Sequence, residues 1–230
     1  MILAIIPARG GSKGVKRKNI RSVGCKPLIY WSIDAAQQSE SLKYVFVTTD
    51  DKEIAEVSSS FGAEIIMRPE SLAADKTPML PVLQFVCEKA EEKLGEQFNT
   101  IVLLQPTAPM RTAKHIDQAI AEFEQTSADS MVSVYKVDDC HPSRMYRINQ
   151  GTLEKIYEEP AGSLRQDLES IYHRNGALYI CKRDLLMNEG KLVCDNPTPF
   201  IMSKSDSANI DDEDDLKIAD FLMTERNNKK

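Results

Sequence analysis

Apolar residues along this chain follow two alternating rhythms. Short, nearly continuous runs at 2–6, 44–49, 64–67, 100–104 and 130–137 predict strands, several of them covered on both faces. Between them, 27–39, 51–61, 79–94 and 113–126 carry apolar residues at helical spacing. In the last of these, Ile116, Ala119, Ile120 and Phe123 form one stripe behind Thr112, a residue type that caps helices. Gly62 and Gly95 stand where two helices should stop. Alternation of this kind predicts an α/β fold with a mainly parallel sheet. Ligands of such sheets gather beyond the carboxyl ends of the strands.

The rhythm breaks after Val137. Residues 138–175 are polar and charged and contain Pro142 and Pro160, which predicts an excursion, a β arm, from one domain spanning 1–230. "NGALYI" at 175–180 returns to the core as a strand, and a short strand follows near 200–202. A final helix begins near Asp212, with 226–230 expected to fray.

Charge changes the picture more than composition does. The 230 residues are 42% hydrophobic, enough for a real core, and carry a net charge of −6. Residues 1–26 hold seven Lys/Arg and no Asp/Glu, so they carry +7 and the remainder −13. A mostly acidic chain with one basic loop suits a compact anion better than a nucleic acid, which needs a broad basic face. Five scattered cysteines with no CxxC suit free thiols in a reducing compartment. With no basic–apolar leader and no membrane-length apolar run, the expectation is a cytoplasmic protein without membrane partners.

The basic loop directly follows the first strand. After Pro7 come three glycines and Arg9, Lys13, Lys16, Arg17 and Lys18, with no acid among them. Glycines let backbone N–H groups form an anion nest, and an arginine fork grips phosphate oxygens. The expected target is a polyphosphate. The loop is not a Walker A motif, because Gly10 is followed five positions later by Val15, and its glycine spacing is not GxGxxG. An RGG contact with RNA and a plain solvated loop are the competing readings. "LLQPTAPMR" at 103–111 also leaves a strand end and offers Gln105, Thr107 and Arg111. Six acids lie between 206 and 215, consistent with a helix start or with a carboxylate holding Mg²⁺ against phosphates.

Together, "IPARGGSKGVKRKN", "RPESLAADKTP", "LLQPTAPMRT", "RQDLESIYHRNGALYI" and "NIDDEDDL" resemble the N-acylneuraminate cytidylyltransferases, the CMP-sialic acid synthetases, over nearly the whole chain. The resemblance implies a Rossmann-like nucleotidyltransferase fold with a small dimerisation arm at 138–175, and a homodimer. It also implies Mg²⁺-dependent transfer of CMP from CTP to the anomeric hydroxyl of a nine-carbon α-keto acid sugar, with release of pyrophosphate. Legionaminic or pseudaminic acid is the alternative sugar, and an inactive nucleotide-binding homologue the alternative to an enzyme. By the same resemblance Arg9, Ser12, Lys13, Lys18 and Asn19 hold the nucleotide, Arg9 and Lys18 acting in catalysis. Arg68, Asp75 and Thr77 bracket the cytidine. Gln105, Arg111, Arg144, Arg165 and Asn175 line the sugar side. The usual Asp-Ile-Asp of the metal motif reads Asn209-Ile210-Asp211 here, with Asp211 the expected principal ligand and Asn209 an uncharged companion. The three histidines read as ordinary: His115 on an exposed helix face, His173 beside a strand, His141 near the sugar-side excursion.

Overall fold

A computed structural model describes residues 1–157 and 168–228. In chain order the elements are β1 (Ile2–Pro7), β2 (Ser22–Val23), β3 (Lys26–Pro27), α1 (Leu28–Gln37), β4 (Tyr44–Thr49), α2 (Lys52–Ser60), β5 (Glu64–Met67), α3 (Met79–Leu94), β6 (Thr100–Leu103) and α4 (Ala113–Glu124). The second half contributes β7 (Ser130–Lys136), β8 (Tyr146–Asn149), β9 (Thr152–Lys155), β10 (Tyr172–Lys182), α5 (Arg183–Met187), β11 (Thr198–Met202) and α6 (Glu213–Asn228).

Seven strands form one sheet in the order β11-β7-β10-β6-β1-β4-β5. Only β10 runs against its neighbours, pairing antiparallel with β6 and β7. β1 lies inside the sheet with Leu3, Ala4, Ile5 and Ile6 fully buried, because both faces are covered, as its unbroken apolar run requires. One apolar cluster joins the sheet to α1 and α4, and a second joins it to α3 and α5. A third, smaller cluster packs Val15 of the basic loop and Ile210 of the acidic motif with Leu28, Leu216 and Met223. Two loops that are far apart in sequence are thereby fixed side by side.

Helix starts are set by side chains. Asp51 accepts from the Ile54 N–H at the start of α2, and Thr112 and His115 form a reciprocal capping box on α4. Gly95 ends α3 at φ +68°. Two expectations need correction. His115 is half-buried rather than exposed, because its Nδ1 accepts from the Thr112 N–H and completes the cap. Its burial lowers the imidazole pKa from the usual value. The last helix continues regularly through 226–228, where Arg226 donates to the Met110 carbonyl. Residues 138–157 do leave the main sheet: β8 and β9 form a separate hairpin whose residues are all exposed. The excursion does not extend to 175 as expected, because β10 pairs with β7 from Tyr172 onward. No helix among the described residues is long and apolar enough to cross a membrane.

Candidate functional site

The order of the sheet reverses at β1, whose partners are β4 on one side and β6 on the other. Loops leaving the carboxyl ends of β1 and β6 therefore diverge and open a crevice, the usual place for a ligand in an open α/β sheet. A cleft of about 360 Å³ lies there. Arg9, Ser12, Lys13, Lys18 and Asn19 line it from the first loop, Arg68 from the segment after β5, Gln105 from the loop after β6, and Asp211 from the acidic motif. Eight of the predicted site residues thus share one wall-to-wall space.

The basic loop is held by acids from elsewhere in the chain. Asp75 bridges Arg9 Nη1 (3.0 Å) and Lys13 Nζ (2.8 Å), and these cations hold its carboxyl below the usual carboxylate range, Lys13 foremost. Arg17 pairs with Asp51 and Glu53, and Arg21 with Glu213. Lys18 points its ammonium at the carbonyl oxygens of Ile210 (2.6 Å) and Asp211 (3.4 Å). Burial pushes the Lys18 pKa down, while Asp211, Asp215 and Asp212 oppose that shift. Asn19 is buried and donates to the Arg9 carbonyl, fixing the loop's backbone.

None of Gly10, Gly11 and Gly14 has a positive φ, and two of them, Gly10 and Gly14, serve close approach. A Cβ on Gly14 would sit 2.0 Å from the Asp211 carbonyl oxygen, and one on Gly10 would sit 2.7 Å from Asp51 Oδ2. The Gly10 N–H is already taken by Asp50 Oδ1 at 3.2 Å, so this amide is not a free member of an anion nest.

The acidic run divides into structural acids and one that faces the cleft. Asp212 Oδ1 accepts from the Asp215 N–H, and Asp215 Oδ2 accepts from the Asp212 and Asp211 N–H groups, a reciprocal cap on α6. Glu213 binds Arg21 and Asp214 binds Lys217. Asp206 accepts from the Ser203 hydroxyl. Asp211 alone of the six acids lines the cleft, with Asn209 Nδ2 donating to its Oδ2 at 2.9 Å. The amide that departs from the usual motif therefore steadies the carboxylate beside it.

Several predicted residues lie elsewhere. Arg111 is 2% exposed, and its guanidinium donates to the carbonyls of Gln105 and Ala177 and to Ser32 Oγ. It braces the loop from behind and does not line the cleft, which corrects the sugar-side expectation. Asn175 is 3% exposed and its amide is spent on Ser133, Ala177 and Ser207, so it too is a framework residue. Thr77 donates its hydroxyl to the Ser71 carbonyl within a turn, and Asp75 faces the loop cations rather than a base. Arg144 is exposed on the excursion, in the short turn Pro142–Arg144. Arg165 falls outside the described residues. His141 bonds Ser143 and caps that same turn, and the His173 ring lies against Tyr135.

Sequence reasoning missed Asp50, which ties Gly10 to the nearly buried Arg68 at 3.5 Å. Its position just past β4, at a strand's carboxyl end, was the available signal. Met79 at the start of α3 also lines the cleft and carried no signal beyond its helical spacing.

Comparison with known proteins gives concordant results. A family model described as Cytidylyltransferase matches residues 3–196. The chain is 34% identical to the CMP-N,N'-diacetyllegionaminic acid synthase of Campylobacter jejuni, covering 98% of this chain and 96% of that one. It is 30% identical to the N-acylneuraminate cytidylyltransferase of Escherichia coli along its whole length, and spans 54% of that longer protein. Among solved structures, CMP:2-keto-3-deoxy-manno-octonic acid synthetase complexed with CTP superposes with a TM-score of 0.75 at 18% identity, covering 98% and 99% of the two chains. This last likeness concerns the fold.

Proposed function

The chain belongs to the cytidylyltransferase family, and from that premise we propose that it transfers CMP from CTP to the anomeric hydroxyl of a nine-carbon α-keto acid sugar, releasing pyrophosphate. The observation that carries this reading is the cleft at the sheet's switch point, where Arg9, Lys13 and Lys18 face Asp211. In the reaction the anomeric oxygen bonds to the α-phosphorus and gives up its proton to water, as the bond from that phosphorus to the bridging oxygen of pyrophosphate breaks and pyrophosphate departs. A tertiary hydroxyl beside a carboxylate is a poor nucleophile, so orientation and charge neutralisation do most of the work. Arg9 and Lys13 neutralise the departing pyrophosphate once the triphosphate has displaced Asp75 from them. Lys18, fixed by two carbonyl oxygens, keeps its charge at the cleft wall without searching among rotamers. Arg68 stands at the nucleoside end, and Gln105 on the sugar side.

Cytidylyltransferases commonly use a divalent metal. The donors fit a hard cation: an exposed carboxylate on Asp211 with the Asn209 amide beside it, and triphosphate oxygens to complete the set. When bound, Mg²⁺ would screen the phosphates and acidify the attacking hydroxyl.

A pyrophosphate-release assay with CTP against sialic, legionaminic and pseudaminic acids tests the reading. Release with none of them would remove it and leave the inactive homologue. The legionaminic alternative is supported by the C. jejuni relative, matched at nearly full length. Arg9→Ala and Lys18→Ala are each expected to lower kcat/KM about tenfold to a hundredfold, the loss of one charge-assisted contact of roughly 1.5–3 kcal/mol. Near-normal kinetics in both would remove the loop from the mechanism.

A homodimer through the excursion belongs to the same proposal. Ile148 and Leu153 are cross-strand partners on the β8–β9 hairpin, 80% and 67% exposed, with Tyr146 and Ile156 nearby. Such a patch suits burial against a second copy. Sedimentation that returned a fully active monomer would remove this part.

A further inference from the structure

β10 abandons regular pairing with β7 between Arg174 and Tyr179, and within that irregularity Gly176 adopts φ +72°. The break is built in. Ser133 Oγ donates to Asn175 Oδ1 (2.6 Å) and accepts the Leu178 N–H (2.8 Å), while Asn175 Oδ1 also accepts the Ala177 N–H (3.1 Å). Side chains thus replace the missing ladder bonds and hold the backbone at 176 close to Gln105.

A Cβ built on Gly176 would stand 2.8 Å from Gln105 Oε1 and 3.6 Å from Asn209 Oδ1. Among the described residues neither amide oxygen receives a hydrogen bond, and the Asn209 amide is oriented by its donation to Asp211. Two acceptors without protein donors therefore flank the bare Cα of Gly176. A carboxamide such as that of Gln105 can both accept from and donate to the hydroxyl and acylamino groups of a sugar.

We propose that Gly176 is a specificity-determining position. By carrying no side chain it keeps the Gln105 amide in place and leaves the space beside that amide open to the polar groups of the sugar. Gly176 makes no contact of its own with the reacting atoms; it acts through Gln105. The inference rests on the CMP-transfer reading above.

Steady-state kinetics on the full chain test it, with CTP and whichever keto-sugar acid the unaltered protein turns over. Gly176→Ala is expected to raise KM for the sugar about fivefold, the loss of one neutral hydrogen bond, with KM for CTP unchanged within about twofold. Gly176→Asn separates filling from strain: asparagine tolerates a left-handed φ yet fills more of the gap, so its sugar KM should rise at least as much. Gln105→Ala should raise the sugar KM too, and combining it with Gly176→Ala should add little, because both act on one contact. Thermal stabilisation by CTP establishes that each variant is folded, and if the alanine variant is not, the asparagine variant carries the comparison. The proposal is overturned if the two KM values rise together, if Gly176→Asn restores normal sugar kinetics, or if the Gly176 and Gln105 effects multiply. Absence of pyrophosphate release by the unaltered protein with every sugar would instead overturn the functional reading, and this proposal with it.

Discussion

Asp211→Asn is expected to abolish CMP transfer at ordinary Mg²⁺, by more than about a hundredfold, while leaving the thermal midpoint of the free protein nearly unchanged. The structure narrows the choice of carboxylate. Asp212 and Asp215 cap α6 reciprocally, Glu213 holds Arg21, and Asp214 holds Lys217. None of these lines the cleft, and Asp211 does. If Asp211 merely started the helix, its neutralisation would cost a few tenths of a kcal/mol, up to about 1, and no Mg²⁺ dependence would follow. Asn209→Asp supplies the contrast. It replaces a donor to Asp211 with a second carboxylate, which a bound cation can share, so turnover is expected to persist with a lower Mg²⁺ concentration at half-maximal rate. Magnesium titrations of both variants decide the matter. An active Asp211→Asn protein with unchanged Mg²⁺ demand would place the metal elsewhere.

The parts of this molecule legible in the sequence are those governed by local pattern. β4, β5 and α3 begin and end where their apolar spacing places them, most other major elements differ by one or two residues, and β10 begins three residues before the expected strand at 175. The place of the basic loop followed from the rule that loops leave α/β strands at the ligand face. What balances that loop was not legible, because Asp75, Asp51, Glu53 and Glu213 reach it through tertiary folding alone. Nor does a motif distinguish a residue that touches a ligand from one that holds the loop which touches it. Gln105 and Arg111 stand six positions apart in one motif, yet Gln105 lines the cleft and Arg111 is sealed behind it. Asn175 and Gly176 divide in the same way: the first pins the bulge, and the second lies against Gln105, which lines the cleft.

Arg111→Met is expected to destabilise the protein by roughly 2–4 kcal/mol, while the folded fraction keeps near-normal KM for both substrates. Arg111 has no acidic partner among the described residues; burial lowers its pKa, although a guanidinium stays protonated inside proteins. Its charge is compensated by the Gln105 and Ala177 carbonyls and Ser32 Oγ, which link the loop after β6 to β10 and α1. Methionine fills similar length but donates nothing. The Gln105 carbonyl keeps the Ala108 N–H, so two acceptors, the Ala177 carbonyl and Ser32 Oγ, lose their donor; at about 1–3 kcal/mol for each buried acceptor left unsatisfied, they cost roughly 2–6. Removal of a buried charge returns several kcal/mol of desolvation. With the severed link between the loop after β6, β10 and α1 added to the unpaired acceptors, the net loss is a few kcal/mol. At about 2–4 °C per kcal/mol for a domain of this size, the midpoint should fall by roughly 5–15 °C. Arg111→Lys keeps the charge but cannot span three acceptors with a planar fork, so it should recover only part of the loss. Calorimetry together with steady-state kinetics on the same samples separates the roles. A normal midpoint with a raised sugar KM would return Arg111 to the substrate side of the loop.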